Sequence, residues 1–189
     1  MAGRRFSALL RWLPWLLWLG ILVAGYVVYR QSRHDSALLL DSDVRAAVMR
    51  LSEALPEQSP GTMRIVHFLD PGCPCTAFTL KHLQSLEPLL RALPNEQWLA
   101  TPEDSDAAIR LAASLQARSL PRRVALNVAP AVAIWSPDGR FAYFGPYSLA
   151  MICGEDDLLT RILSAASRSA WTEEPYPIET GCFCPWNPS

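Results

Sequence analysis

Between Trp12 and Tyr29 the chain runs for 18 residues (WLPWLLWLGILVAGYVVY) without a charged side chain. At a rise of about 1.5 Å per residue such a helix spans about 27 Å, close to the roughly 30 Å of a bilayer's hydrocarbon core. Trp12, Trp15, Tyr26 and Tyr29 fall near its ends, where interfacial aromatic residues collect, and Pro14 falls in the first turn, where proline is tolerated. A cleaved signal peptide would have a shorter apolar run followed by a small-x-small site, and VAGYVVYRQS offers no good one. A lipoprotein signal would need a cysteine just after the run, and the first is Cys73. The pattern therefore predicts one uncleaved transmembrane helix. Arg4, Arg5 and Arg11 precede it, and Arg30 and Arg33 follow it. That bias points to a cytoplasmic N-terminus with residues 34–189 outside the cytoplasm.

After the span the period changes. Val44, Ala47, Val48, Leu51 and Leu55 recur at helical spacing behind a potential cap at Ser42, and Pro56 to Gly61 closes that helix. We expect it to connect the anchor to the domain, or simply to pack. Met63 to Leu69 is short and β-prone. Asp70-Pro71-Gly72 turns, Cys73-Pro74-Cys75 follows, and a long helix should begin there. Phe78, Leu83, Leu86, Leu90 and Leu93 form its apolar stripe, and Pro88 should bend or split it. Gln97 to Ala100 reads as a strand. Thr101-Pro102-Glu103-Asp104 reads as a helix start, with a run to about Ala117. Arg122 to Val128 is ambiguous. Pro130 to Trp135 and Arg140 to Phe144 form a hairpin across Ser136-Pro137-Asp138-Gly139, and Asp156 to Arg168 is a last helix. The order strand–helix–strand–helix–strand–strand–helix predicts an α/β fold, with a small mixed sheet between helices. It divides the chain into an N-terminal stub and anchor (1–33), a connecting helix (34–61), a domain (62–170) and a Pro-rich tail (171–189).

Composition narrows the function. Half of the residues are hydrophobic and 19% are charged, which excludes a disordered chain. Five Cys are too few for a disulfide-stapled miniprotein. All 18 acidic residues lie at Asp35 or later, so the part beyond the span is acidic and unsuited to nucleic acid. There is no phosphate-binding loop, dinucleotide fingerprint or nucleophile elbow, and His34, His67 and His82 show no metal-ligand spacing.

The cysteines carry the chemistry. Cys73 and Cys75 sit where a strand ends and a helix begins. The unsatisfied N–H groups and partial positive charge of a helix start favour the thiolate, which is the reactive form. A second sulfur nearby allows a mixed disulfide to be resolved. A disulfide closed between Cys73 and Cys75 would make a small, strained ring. Cys182 and Cys184 form a second C-x-C on the tail, and Cys153 lies before the last helix. Three readings remain open for these three: a structural disulfide pinning the tail, Cys153 with Cys182 or Cys184; a redox relay with Cys73 and Cys75; or convergence of both pairs on Cu(I) or Zn(II).

The strand Ile65 to Leu69, the run Asp70-Pro71-Gly72-Cys73-Pro74-Cys75, the stretch Val128-Ala129-Pro130 entering a strand, the Pro137-Asp138-Gly139 hairpin and the closing helix together resemble the thioredoxin-like superfamily, over roughly Thr62 to Arg168. More narrowly, the chain resembles membrane-anchored bacterial proteins of that superfamily, which implies the inner membrane with the C-terminal domain facing the periplasm. The resemblance implies a cis peptide bond before Pro130, with Pro130 facing the dithiol and shaping a substrate groove. Two features depart from the family: one residue rather than two separates the cysteines, and His67 stands where many thioredoxins have a buried acid. His67 could accept a proton from the second thiol, or could be a hydrogen-bonded core histidine.

The resulting expectation is a membrane-anchored thiol–disulfide oxidoreductase acting on protein thiols or disulfides. Its site would be Cys73, Cys75, Pro130 and His67, with no cofactor and no resident metal. The rivals are a Cu(I)- or Zn(II)-delivery module and a non-catalytic thioredoxin-fold binding protein.

Overall fold

The computed structural model describes residues 14–28, 42–120, 128–148, 157–168 and 183–186. It divides into two compact units, Met1–His34 and Asp35–Ser189. In the first, residues 14–28 form a helix, α1, with every side chain exposed. This helix covers part of the charge-free stretch. Among the described residues no helix is long and apolar enough to cross a membrane.

The second unit is built on strand β1 (Met63–Phe68), whose six residues are all buried. A strand buried on both faces needs a neighbour on each edge and a layer on each side. Strand β2 (Asn95–Ala100) pairs with it in parallel, from Met63 opposite Asn95 to Phe68 opposite Ala100. Strand β5 (Ala131–Trp135) pairs antiparallel on the other edge, with Ile65 opposite Ile134. Strand β6 (Phe141–Gly145) returns from β5 through the turn at Ser136 to Arg140, where Gly139 adopts a φ of +81° that suits glycine. A two-residue strand, β3 (Arg118–Ser119), extends the far edge beside β2. The order is β3-β2-β1-β5-β6, a mixed five-stranded sheet as expected.

Side chains alternate across this sheet with period two. Met63, Ile65, Leu69, Leu99, Val132 and Ile134 face one core. Helix α3 (Pro74–Ser85), α4 (Glu87–Ala92), α5 (Asp106–Leu115) and α6 (Leu158–Ala166) supply residues to it. Val66, Phe68, Trp98, Ala100, Ala133 and Trp135 face the other core. Helix α2 (Ser42–Ala54) covers that side with Val48 and Leu51, and Leu55 just beyond it joins them. The helix expected as a connector is thus packed on the sheet. Arg64, on the same edge of the pattern, is 2% exposed, and its charge is met by Glu96 while it also donates to the Pro56 carbonyl.

Local expectations failed at three places. Phe78 was assigned to the buried stripe of the long helix, but it is 55% exposed, and Thr76, Thr79, His82 and Leu83 form the buried side instead. Pro74 starts that helix, which fixes its angular phase, and the phase turns Phe78 outward. Thr101 does not cap α5. Its hydroxyl donates to the Glu103 carbonyl, and Ser105 is the cap, accepting from the Ala108 N–H at 3.2 Å. The helix then stops at Leu115 rather than Ala117, because Gln116 turns left-handed with φ 54°. Pro88 does split the long helix, between α3 and α4.

Candidate active site

The chain leaves β1 at Phe68 and must turn to start α3. Asp70 organises the turn: its Oδ1 accepts from the Gly72 N–H at 2.7 Å, and its carbonyl accepts from the Cys73 N–H at 3.0 Å and from the Thr76 hydroxyl at 2.7 Å. A Cβ on Gly72 would meet Asp70 Oδ1 at 3.2 Å, so the turn favours glycine there. Cys73 is then the N-cap of α3, with extended backbone (φ −83°, ψ 124°) and no side-chain cap bond, and Pro74 occupies the first turn. The Cys73 sulfur therefore stands at the amino end of a twelve-residue helix and is spared from capping.

Its bond is not to Cys75. Cys73 is disulfide-bonded to Cys184, 111 residues away, with Cα atoms 6.0 Å apart. Cys75 is also disulfide-bonded. The small Cys73–Cys75 ring expected from the sequence does not form. Residues i and i+2 at a helix start do not face each other, so each sulfur turns to a different neighbour. The Cys73, Cys75 and Cys184 sulfurs nonetheless lie within 4.8 Å of one another. Cys153 and Cys182 lie outside the described residues.

The tail reaches Cys73 by strand pairing. Val128–Ala129 form a short strand, β4, and Cys184–Pro185 form another, β7. They pair antiparallel as a separate two-stranded sheet, with Val128 opposite Pro185 and Ala129 opposite Cys184. The next peptide bond, Ala129–Pro130, is cis, and Pro130 is buried. Cys184 thus sits opposite the residue preceding Pro130 and bonds to the helix-capping cysteine. Two residues on, Trp186 is 4% exposed, packed in the cluster that holds Leu51, Leu55, Phe68 and Trp135.

His67 is 1% exposed on β1. Its Nδ1 lies 2.7 Å from the Tyr147 hydroxyl and its Nε2 lies 3.1 Å from Gln97 Oε1. Burial pushes the Tyr147 hydroxyl well above its ordinary pKa, so it keeps its proton and donates it to Nδ1. Nε2–H then donates to Gln97, and the ring is neutral with both nitrogens occupied. Neither nitrogen is left to take a thiol proton in this arrangement. Burial lowers the His67 pKa from 6.5 to about 4, against a smaller opposing effect of the Gln97 bond. The unfolded chain takes up this proton near pH 6.5, whereas the folded chain takes it up near pH 4. Stability is full above pH 6.5 and falls as pH drops to about 4, by roughly 3 kcal/mol at about 1.4 kcal/mol per unit. Urea midpoints at pH 7 and pH 4.5 should show this loss in the wild type and not in His67→Gln. An unchanged slope in the variant would remove the assignment. Among the described residues His82 is also buried, on the inner side of α3, and neither of its ring nitrogens has a hydrogen-bond partner there.

Residues 43–186 match the family described as a domain of unknown function, DUF6436. The chain belongs to that family. No curated protein matches the DUF6436 chain. Among solved structures, it is similar to dsbF of Mycobacterium tuberculosis, in mixed oxidized and reduced forms, at 16% identity and a TM-score of 0.38, covering 57% of this chain and 82% of that one. A secreted M. tuberculosis disulfide oxidoreductase homologous to E. coli DsbE is 18% identical, with a TM-score of 0.38 and coverage of 56% and 83%. A thioredoxin candidate from Neisseria meningitidis is 17% identical, with a TM-score of 0.41 and coverage of 59% and 78%. The DUF6436 chain has an α/β fold with a mixed sheet between helices, and its helix-capping cysteine is bonded to the cysteine that pairs with the residue before the cis proline.

Sequence reasoning named Cys73, Cys75, Pro130 and Cys184 separately, and the structure brings the sulfurs of three of them together beside the Ala129–Pro130 bond. It missed Tyr147 and Gln97 as the partners of His67. Nothing in the spacing ties either residue to position 67.

Proposed function

We propose that this chain is a membrane-anchored, extracytoplasmic thiol–disulfide oxidoreductase of protein substrates, with Cys73 as the exchanging sulfur. One observation carries the reading: Cys73 is bonded to Cys184 at the N-cap of α3, opposite the residue that precedes a cis proline. In the reduced protein the helix start favours the Cys73 thiolate. That thiolate attacks a target disulfide, a bond forms between Cys73 and one target sulfur, and the other target sulfur leaves as thiolate. A second thiolate of this chain, Cys75 or Cys184, then attacks Cys73 Sγ and releases the reduced target. Two electrons pass to the target, and the chain ends as a disulfide. Run backwards, the same steps oxidise a target dithiol. The charge-free stretch Trp12 to Tyr29, its flanking arginines and its interfacial aromatics support an anchor in the bacterial inner membrane with the domain facing the periplasm. The test is insulin reduction by the full chain, wild type against Cys73→Ser. Equal turnover in the two would remove the proposal.

A second reading has its own support. The three sulfurs within 4.8 Å form a thiolate cluster that, once reduced, suits Cu(I) or Zn(II). Stoichiometric metal in anaerobically purified protein, lost in Cys184→Ser, would favour it.

A further inference from the structure

Strand β4 belongs to no larger sheet, and its ladder partner among the described residues is the tail strand β7. An isolated two-residue edge offers its backbone groups to any extended segment, as in recognition by strand addition. The tail meets this edge in one register: its cysteine opposite Ala129 and bonded to Cys73, and its tryptophan two residues later in the apolar cluster beside α2. Cys184 and Trp186, two residues apart, both reach into the domain, one bonded to Cys73 and one buried in the apolar cluster. The buried Trp186 is the costly part to replace, since burying a large aromatic side chain supplies much of a short segment's grip.

We infer that the tail occupies the seat of the chain's own target, and that the target is an extended polypeptide segment reading cysteine–any residue–aromatic, held antiparallel to Val128–Ala129. This rests on the proposed exchange at Cys73 and adds what is exchanged with. Target and tail compete for one edge and one pocket. In the reduced protein the tail withdraws, the target pairs with β4 with its cysteine in a disulfide, and the Cys73 thiolate attacks that cysteine's sulfur, forming the mixed disulfide while the other sulfur of the target disulfide leaves as thiolate. The tail then returns with Cys184 as the attacking thiolate, the Cys73–Cys184 bond forms, and the target leaves as a thiol.

The experiment uses the reduced full chain carrying Cys184→Ser and Trp186→Ala, which vacates the seat. Two tetrapeptides, Phe-Cys-Pro-Trp and Phe-Cys-Pro-Ala, are supplied as mixed disulfides with glutathione, and glutathione disulfide alone is the third probe. The peptide bonded to Cys73 is read by mass spectrometry against time. The tryptophan peptide is expected to couple at least tenfold faster than the alanine peptide. Equal rates for the two peptides, with Cys73 still reacting, would overturn the inference and leave the exchange reading standing. Reaction of no probe at Cys73 would overturn both. A second measurement does not depend on the double variant folding: the equilibrium constant of the Cys73–Cys184 bond against glutathione, in wild type, Trp186→Phe and Trp186→Ala. A tenfold or larger fall in the alanine variant, with retention in the phenylalanine variant, is expected. Identical constants in all three would count against the shared pocket.

Discussion

Full reduction of the protein with a dithiol lowers its unfolding free energy by about 3 to 5 kcal/mol. The Cys73–Cys184 bond closes a loop with a sequence separation of 111. In the chain-entropy account a loop of about 100 residues contributes about 4.7 kcal/mol by restricting the unfolded state. Released from that bond, the tail retains only the β4–β7 pairing and the Trp186 packing, both of which now compete with the freedom of a Pro-rich segment. With a urea slope of about 2 kcal/mol per molar, the midpoint should move down by about 2 M. Because reduction opens the Cys75 bond as well, Cys184→Ser in the oxidised protein gives the share that belongs to the Cys73–Cys184 bond. Coincident urea curves for oxidised and reduced protein would mean that the bond constrains little.

Cys73→Ser should reduce turnover in insulin reduction by on the order of a thousandfold or more, to the solvent background. Serine keeps the size and the N-cap preference of the position, so α3 should start as before. What disappears is ionisation and nucleophilicity. A hydroxyl beside a helix N-terminus stays protonated at neutral pH, whereas a thiol there is drawn toward the thiolate. The same variant should leave Cys184 unable to close onto residue 73, so its tail behaves as the reduced tail does. A loss of activity with an unchanged circular dichroism spectrum separates chemistry from folding. A variant that turns over within a few-fold of wild type would place the reactive sulfur elsewhere.

Much of the fold was legible because the signals are local. The sheet's period-two burial is written in Met63-Arg64-Ile65-Val66-His67-Phe68, whose alternate residues go to different cores. The hairpin is written in Ser136-Pro137-Asp138-Gly139, and the split between α3 and α4 in Pro88. The failures have physical causes too. Thr101 and Ser105 are both followed by residues suited to a helix start, and the choice fell to whichever hydroxyl met a free N–H. Strands β3, β4 and β7 have two residues each, too short to carry a period. The β4–β7 pair joins segments far apart in sequence, so its register is set by tertiary contact rather than by neighbouring residues. The cysteine pairing is of the same kind: two C-x-C motifs allow several connectivities, and only the approach of the tail to β4 selects Cys73 with Cys184.

The most direct test of exchange at Cys73 is a redox titration of the full chain in glutathione buffers, with acid quench, alkylation and mapping of each cysteine peptide. The account predicts that the Cys73–Cys184 linkage opens and closes reversibly across the series, with Cys73 alkylated fastest at neutral pH once it is open. A linkage that stays intact throughout the glutathione range and yields only on unfolding would contradict it, leaving a structural clasp in place of a reactive bond.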